Sequence, residues 1–439
     1  MDIMNNPFLA GPVISPAEFV GRGKEIRRIV GRIANRGQSV ALSAEPRAGK
    51  SSLLGYLAAP ETRAALYGAD AARYIFACMD TSVFNAGFTP AQFWSLALAP
   101  LAEKLAKQPQ PELAAVYRTS KAEGFGVSTL EKIFARLQAA GLRLVLLLDE
   151  FDTLLNHPVL NKSEFYSGLR SLASRYESLT LVIASRQPLE ELNASTQQFS
   201  LMGSPYFNFM SQITLGALTD KEAADLLRRA DCFSAEDRGY LLFVAGTHPY
   251  LLQSAASALW EAYADDEVER QTRWEITARE LLETVRPTLA DTWRAWSPAT
   301  RKALTIVALD NLPRLLAGKE FDMDALLTAF SLYGAEVEAL AKRGFLTAES
   351  ASRTGYRLSA QVCYWWLAAE LTRSLRPQEG EEDLGSWLRA QQWDGLIKGE
   401  EKTQLKRALT ALTALLKTGA ETLIKTAVET YIKGLAAGK

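Results

Sequence analysis

The sequence predicts a parallel α/β domain built around a phosphate-binding loop, followed by domains made mostly of helix. Three observations predict it. The run Gln38–Leu53, QSVALSAEPRAGKSSL, reads as a short apolar strand, a glycine-bearing turn and a helix opened by Lys50-Ser51-Ser52. The run Leu142–Leu155, LRLVLLLDEFDTLL, holds the continuous apolar stretch Leu144–Leu148 and ends it in Asp149-Glu150. A strand buried on both faces of a parallel sheet needs such a stretch. Short apolar runs then alternate with helical stretches up to about residue 215, and after Thr219 the pattern is almost wholly helical. Alternation of this kind argues for a sheet with helices on both faces.

The chemistry of these two runs is specific. Ala44, Glu45, Pro46, Arg47, Ala48, Gly49, Lys50 and Ser51 have phosphate-loop spacing, with alanine in place of the usual first glycine. Backbone N–H groups of such a turn, and of the helix it opens, point at phosphate oxygens. Gly49 lets the backbone approach closely. Lys50 reaches the β- and γ-phosphates, Ser51 offers its hydroxyl to Mg²⁺, and Ser52 completes the helix start. Asp149, at a strand C-terminus, is placed to hold Mg²⁺. Glu150 is placed to polarise an attacking water. The plain reading of LVLLLDE is a core strand followed by a solvated acidic turn, but beside the phosphate loop the pair predicts ATP or ADP with Mg²⁺. Slow hydrolysis is the expected activity, since a chain can keep Lys50 and Asp149 and turn over very slowly.

The elements follow in order. A lead-in reaches residue 35, with a helix from about Gly23 to Arg36. Residues 38–43 form the first strand and 49–60 its helix. Tyr74–Met79 is a second strand ending at Asp80. Residues 90–108 and 128–141 read as helices, 144–149 as the acidic-ended strand, and 163–177 as a helix. Leu179–Ala184 is another buried strand, ending in Ser185-Arg186, and Ile213–Leu215 is a last short one. Thr219-Asp220-Lys221-Glu222 has the form of a helix cap with an acidic first turn. Helices are expected at 220–231, 235–245, 249–264 and 271–294, forming a helical lid. Helices at 298–309, 323–331 and 334–343, with a hairpin around Ser350–Gly355, make a winged-helix pattern. PQEGEED, 377–383, is an acidic linker. The expected domains are therefore 1–218, 219–295, 296–376 and, beyond the linker, a small all-α domain at 384–439.

Composition narrows the function classes. The 439 residues carry a formal net charge of −1, so no global field draws the chain to nucleic acid or anionic membrane. No apolar run is long enough to span a bilayer, and the N-terminus lacks the pattern of a signal peptide. Three scattered cysteines, Cys78, Cys232 and Cys363, suit buried thiols in a reducing cytoplasm. Two histidines, His157 and His248, leave no basis for a histidine zinc site or a serine–histidine triad.

From residue 6 to 375 the chain resembles the signal-transduction ATPases with numerous domains, the STAND class within the AAA+ group, and is similar to an ATPase family described mainly from archaea. Phe19-Val20-Gly21-Arg22 with Glu25 looks like the class's hhGRxxE box, and Gly246-Thr247-His248-Pro249-Tyr250-Leu251-Leu252 like its GHPYLL helix start, with Thr247 where the GxP motif has glycine. The resemblance implies an adenine-side role for Arg22 and a sensor role for Arg186 at the γ-phosphate. It also implies a nucleotide contact near His248 and Pro249. Against these stand a solvated helix-entry arginine, a strand-end cap and a packed histidine. Arg170 and Arg175 are candidates for an arginine finger offered to a neighbour, or plain surface charges. The class implies an ADP-closed, ATP-opened switch that oligomerises, with bacterial or archaeal defence or cell-death signalling implied by analogy alone.

The tail stays open among three readings. Leu405, Leu409, Leu412 and Leu416 share one helical face, and Leu423, Ile424, Ala427, Val428, Tyr431 and Ile432 share another, with Trp387 and Trp393 before them. From Lys398 onward eight basic residues face four acidic ones, which favours a basic amphipathic surface. The segment is a protein-recruiting adaptor, a helical extension packed on the ATPase, or a membrane-active helix pair. The alternative for the whole chain is an AAA+ winged-helix DNA-binding initiator or loader. Nine basic against eight acidic residues between Ser297 and Leu375, with Arg353 and Arg357 at the hairpin, give it a thin electrostatic basis. A structural remnant of an ATPase is disfavoured by the intact Lys50, Ser51, Asp149 and Glu150.

Overall fold

The computed structural model describes residues 6–35, 37–197, 205–265, 269–315, 321–373, 388–415 and 420–436. They form two compact units, one spanning 13–215 and the other joining 1–12 to 216–439.

The first unit is an α/β layer structure. Strands β1 (Val40–Ser43), β2 (Tyr74–Asp80), β3 (Arg143–Asp149), β4 (Leu179–Ser185) and β5 (Ser211–Thr214) form one sheet in the order β2-β3-β4-β1-β5. Every pairing is parallel. Side chains alternate between two cores, as the pleat requires. Leu144, Leu146 and Leu148 join Leu181 and Ile183 on one face, under Phe93, Trp94, Ile133, Phe134 and Leu169. Val145, Leu147, Val182 and Leu42 join Ile29, Ile33, Leu53 and Leu57 on the other. Helices α1 (Gly23–Ala34) and α2 (Lys50–Ala58) thus cover one face, α4 (Pro90–Ala97), α7 (Val127–Ala139) and α8 (Ser163–Arg175) help cover the other, and α9 (Leu189–Thr196) follows β4.

Three differences from the sequence expectation involve proline. The helix expected over 90–108 is two helices, because the chain bends at Leu98 and Pro100 sits in the first turn of α5 (Ala99–Lys107). Helices α3 (Pro60–Tyr67) and α6 (Pro111–Ala122) occupy stretches read as connections. Both begin at a proline, whose missing N–H is harmless in a first turn.

Among its described residues, the second unit's regular structure is helical apart from one hairpin. Helices α10 (Asp220–Leu227) and α11 (Ala235–Ala245) start in capping boxes, Thr219 with Glu222 and Ser234 with Asp237. The buried Asp237 carboxylate also accepts from Trp274 Nε1 at 2.8 Å and from the Tyr263 hydroxyl at 2.7 Å. Burial pushes its pKa up, but these donors and Ser234 outweigh that and hold it below the usual carboxylate value. Helices α12 (Pro249–Ala264), α13 (Arg270–Ala295) and α14 (Pro298–Leu315) follow, then α15 (Asp324–Phe330) and α16 (Gly334–Lys342). Strands β6 (Leu346–Ala348) and β7 (Tyr356–Leu358) pair antiparallel, and α17 (Gln361–Arg373) comes next.

The hairpin is fastened to α14 through a buried acid. Asp310 accepts from the Ser352 hydroxyl at 2.6 Å, Arg353 Nε at 2.7 Å and the Thr354 N–H at 3.0 Å. Arg357 pairs with Glu349 at 3.6 Å. Both hairpin arginines therefore have intramolecular carboxylate partners.

The C-terminal segment is packed on its own chain. Trp393 is buried and donates from Nε1 to the Pro298 carbonyl at 2.9 Å. In α18 (Gly399–Leu415), the buried Gln404 accepts from the Ala325 N–H at 2.9 Å and donates to Asp322 at 3.0 Å. Leu405, Leu409 and Leu412 are buried, as are Leu423, Ile424 and Val428 of α19 (Ala420–Ala436). Leu416, Trp387 and the linker 377–383 lie outside the described residues. Among the described residues, most of the apolar side chains of the two helices are thus buried against the chain itself.

Tyr431 on α19 inserts into an aromatic set on α11 and α13. It stacks on Phe243 at 4.8 Å and meets Tyr240 and Trp274 edge-on. Gly239 makes room, because a Cβ there would lie 2.5 Å from the Tyr431 hydroxyl oxygen but 3.9 Å from the nearest ring carbon. Gly239→Ala is therefore expected to lower stability by about 1–3 kcal/mol in the wild-type background through overpacking. In a Tyr431→Phe background it should be neutral or stabilising, since alanine is the better helix former by about 1 kcal/mol. A double-mutant cycle from denaturant unfolding checks this.

Candidate functional site

The phosphate loop starts where β1 ends. The Ala44 N–H donates to the Ser185 carbonyl at 3.1 Å, a last rung between β1 and β4. The chain then turns through Arg47 at φ 61° and Gly49 at φ 94°, and α2 begins at Lys50. No protein atom among the described residues lies within 4 Å of a Cβ built on Gly49, so within the chain itself the glycine serves the left-handed backbone. Lys50 is 4% exposed, and its Nζ donates to the carbonyls of Ala44 at 3.1 Å and Glu45 at 3.4 Å. Burial holds its pKa below the ordinary lysine value, against the opposite pull of Glu150 and Asp149. Those two carboxylates and Arg186 thus act on the Lys50 charge directly.

At the end of β3, Asp149 accepts the Glu150 N–H on Oδ1 at 3.0 Å. Glu150 has φ 47°, left-handed for a non-glycine residue. The buried Thr81 hydroxyl stands 3.0 Å from the Asp149 carbonyl, 2.8 Å from that of Glu150 and 2.9 Å from Thr153 Oγ1. It braces the turn that carries the two acids. Asp80, one residue earlier, is in register with Asp149 across β2 and β3. Arg186 lies 3.4 Å through Nε from Glu150 Oε2, with side chains 51% and 26% exposed, and its N–H donates to Asp152 at 3.3 Å. An ion pair so exposed is weak, roughly 0–1 kcal/mol.

The lead-in is tied to the same loop. Arg22, at φ 62° and 4% exposed, donates from a guanidinium nitrogen to the Ala48 carbonyl at 3.0 Å. The Ile14 N–H donates to Ser52 Oγ at 3.0 Å, so the Ser52 hydroxyl accepts from the lead-in. Phe19 stacks on Tyr56 at 4.7 Å.

The structure thus brings Lys50, Ser51, Asp149, Glu150, Arg186 and Arg22 together within one unit. His248 and Pro249 belong to the other unit, at the start of α12, where the buried His248 ring lies 6.1 Å from Phe345. In the same turn the Thr247 carbonyl accepts the Leu218 N–H at 2.8 Å. Arg175 pairs with Glu131 at 2.8 Å on the surface. Sequence reasoning missed Thr81 and Asp152. Both follow the acidic ends of β2 and β3, and only the register shows that these ends are neighbours.

The family described as Novel STAND NTPase 2 matches residues 34–308, more than half of the chain. The chain belongs to that family. It is also similar to solved structures. A Walker-type ATPase of Pyrococcus abyssi is 14% identical with a TM-score of 0.49, over 82% of this chain and 99% of that one. The ORC2 protein of Aeropyrum pernix in its ADPNP-ADP complexes is 12% identical with a TM-score of 0.46, over 80% and 96%. Its ADP form is 14% identical with a TM-score of 0.45, over 80% and 92%. No curated protein matches the chain.

The residues present fit a nucleotide phosphate group. Arg47 and Gly49 take the left-handed conformation from which loop N–H groups can turn toward an anion, and the buried Lys50 ammonium donates to the carbonyls of Ala44 and Glu45. Gly49→Ala keeps the space but forces alanine into the left-handed region, at a cost of about 1–2 kcal/mol. The expected outcome is that loss in denaturant unfolding together with weaker ADP binding by calorimetry.

Proposed function

We propose that the protein is an ATP-binding molecular switch of the STAND type, with slow ATP hydrolysis. The observation that carries this reading is the convergence of Lys50, Asp149, Glu150 and Arg186 where the parallel strands end. Mg²⁺, when bound, would neutralise phosphate charge between Ser51 and Asp149. Lys50 supplies positive charge to the phosphates, already aimed by its carbonyl contacts. Glu150 takes the proton of the attacking water, and Thr81 keeps its backbone in place.

Arg186 is the part that can tell a triphosphate from a diphosphate. Its pair with Glu150 is weak, so a γ-phosphate competes for the guanidinium, whereas a diphosphate leaves the pair intact. A nucleotide can then shift the balance between the two states only by the difference in its affinity for them. In this reading ADP marks the closed form and ATP the open form. The open form self-associates and signals to a protein partner through the C-terminal helices. A setting in defence or cell-death signalling rests on family analogy. The winged-helix DNA reading gains little from the hairpin: Arg353 is held by the buried Asp310, and only Arg357, in a weak exposed pair with Glu349, could be drawn to a phosphate.

The test is the nucleotide released on denaturing freshly purified protein. Near-equimolar ADP supports a locked off-state. An empty site points to a cycling ATPase, and duplex binding by the protein would then favour the initiator reading. Glu150→Gln should leave ADP affinity unchanged and lower hydrolysis by about 10²–10⁴-fold, the usual contribution of a positioned base. Light scattering in Mg-ATP should show higher oligomers; a monomer under all activating conditions would sink the assembly step.

A further inference from the structure

We infer that Arg22 is a positioning residue for the phosphate loop, acting on the phosphates through the Ala48–Gly49 peptide and not on the base. The inference rests on the nucleotide-switch reading. The guanidinium is buried and donates to the Ala48 carbonyl at 3.0 Å. A trans peptide is planar, so its C=O and N–H point in opposite directions. Holding the Ala48 carbonyl toward Arg22 therefore aims the Gly49 N–H the other way. Gly49 is also the residue that precedes Lys50 at the helix start, at φ 94°. A cation on the carbonyl polarises the amide as well, and makes its N–H a stronger donor.

Two further observations support a built device. Gly21 and Arg22 are both left-handed, at φ 81° and 62°. That conformation is unfavourable for arginine, and it persists where surrounding contacts over-determine it. The lead-in is also fastened to α2 at two points, by Ile14 N–H to Ser52 Oγ at 3.0 Å and by Phe19 on Tyr56. The segment carrying Arg22 is thereby held against the helix whose first turn faces the phosphates. Movement of the lead-in would be felt as a change in phosphate affinity.

The experiment measures binding of ADP, inorganic pyrophosphate and adenosine to wild type and Arg22→Met by calorimetry, with the melting temperature of the ligand-free proteins. The expected result is a fall of about tenfold in affinity for both ADP and pyrophosphate, as for one hydrogen bond from a charged donor, with adenosine unchanged. Arg22→Lys, which keeps the charge and one donor, should recover part of the loss. If R22M does not fold by circular dichroism, R22K carries the comparison. Loss of ADP and adenosine affinity with pyrophosphate unchanged would make Arg22 a base contact and overturn the inference. So would a lowered melting temperature with all three affinities unchanged. Wild-type protein that binds no ADP overturns the switch reading and this inference together.

Discussion

The hydrogen bond from the Ala44 N–H to the Ser185 carbonyl, at 3.1 Å, is the rung on which the site depends. It extends the β1–β4 ladder one residue past the strand and sets where the sheet stops and the loop begins. Ser43 is in register with Ser185, and Asp80 with Asp149. Parallel strands in register end at one edge, so the loop, the acids and Arg186 arrive there by pairing. The connecting loops need only small turns to finish the arrangement. Glu150 at φ 47° and Gly49 at φ 94° are two of those turns, one braced by Thr81 and the other made affordable by glycine.

Much of this was legible in the sequence because it depends on local pattern. Leu144–Leu148 is apolar at every position since both faces of β3 are covered, and the pleat sends its odd and even residues to different cores. Thr219-Asp220-Lys221-Glu222 shows its capping box in four residues. The parts that were not legible depend on pairing or on side-chain reach. Strand order placed Thr81 against the Asp149–Glu150 turn, and no spacing rule links residues 81 and 150. Arg22 sits in a motif that the resemblance links to adenine, and only the fold shows its guanidinium on the loop's own Ala48 carbonyl. Pro60 and Pro111 look like breaks in a sequence but are first-turn residues in the fold.

The tail shows what an amphipathic pattern leaves undecided. Leucines on one face state that something covers them, and the covering surface is chosen by polar partners. Lys302 illustrates the choice. Its buried ammonium donates to the Leu396 carbonyl at 2.6 Å and to Glu401 at 2.7 Å, and lies 5.1 Å from the Tyr333 ring centre. A buried ammonium without partners is strongly unfavourable, by several kcal/mol.

This asymmetry bears on which part of the tail an activated form could release. Undocking α18 would strip Lys302 of Glu401 and leave Asp322 and the Ala325 N–H without Gln404. Helix α19 is held differently, by Leu423, Ile424, Val428 and the Tyr431 ring against α13 and α17. Apolar burial is non-directional, and a partner offering a similar surface can replace it, while the Tyr431 ring also needs its stacked and edge-on neighbours. Of the two helices, α18 is therefore the costlier to undock.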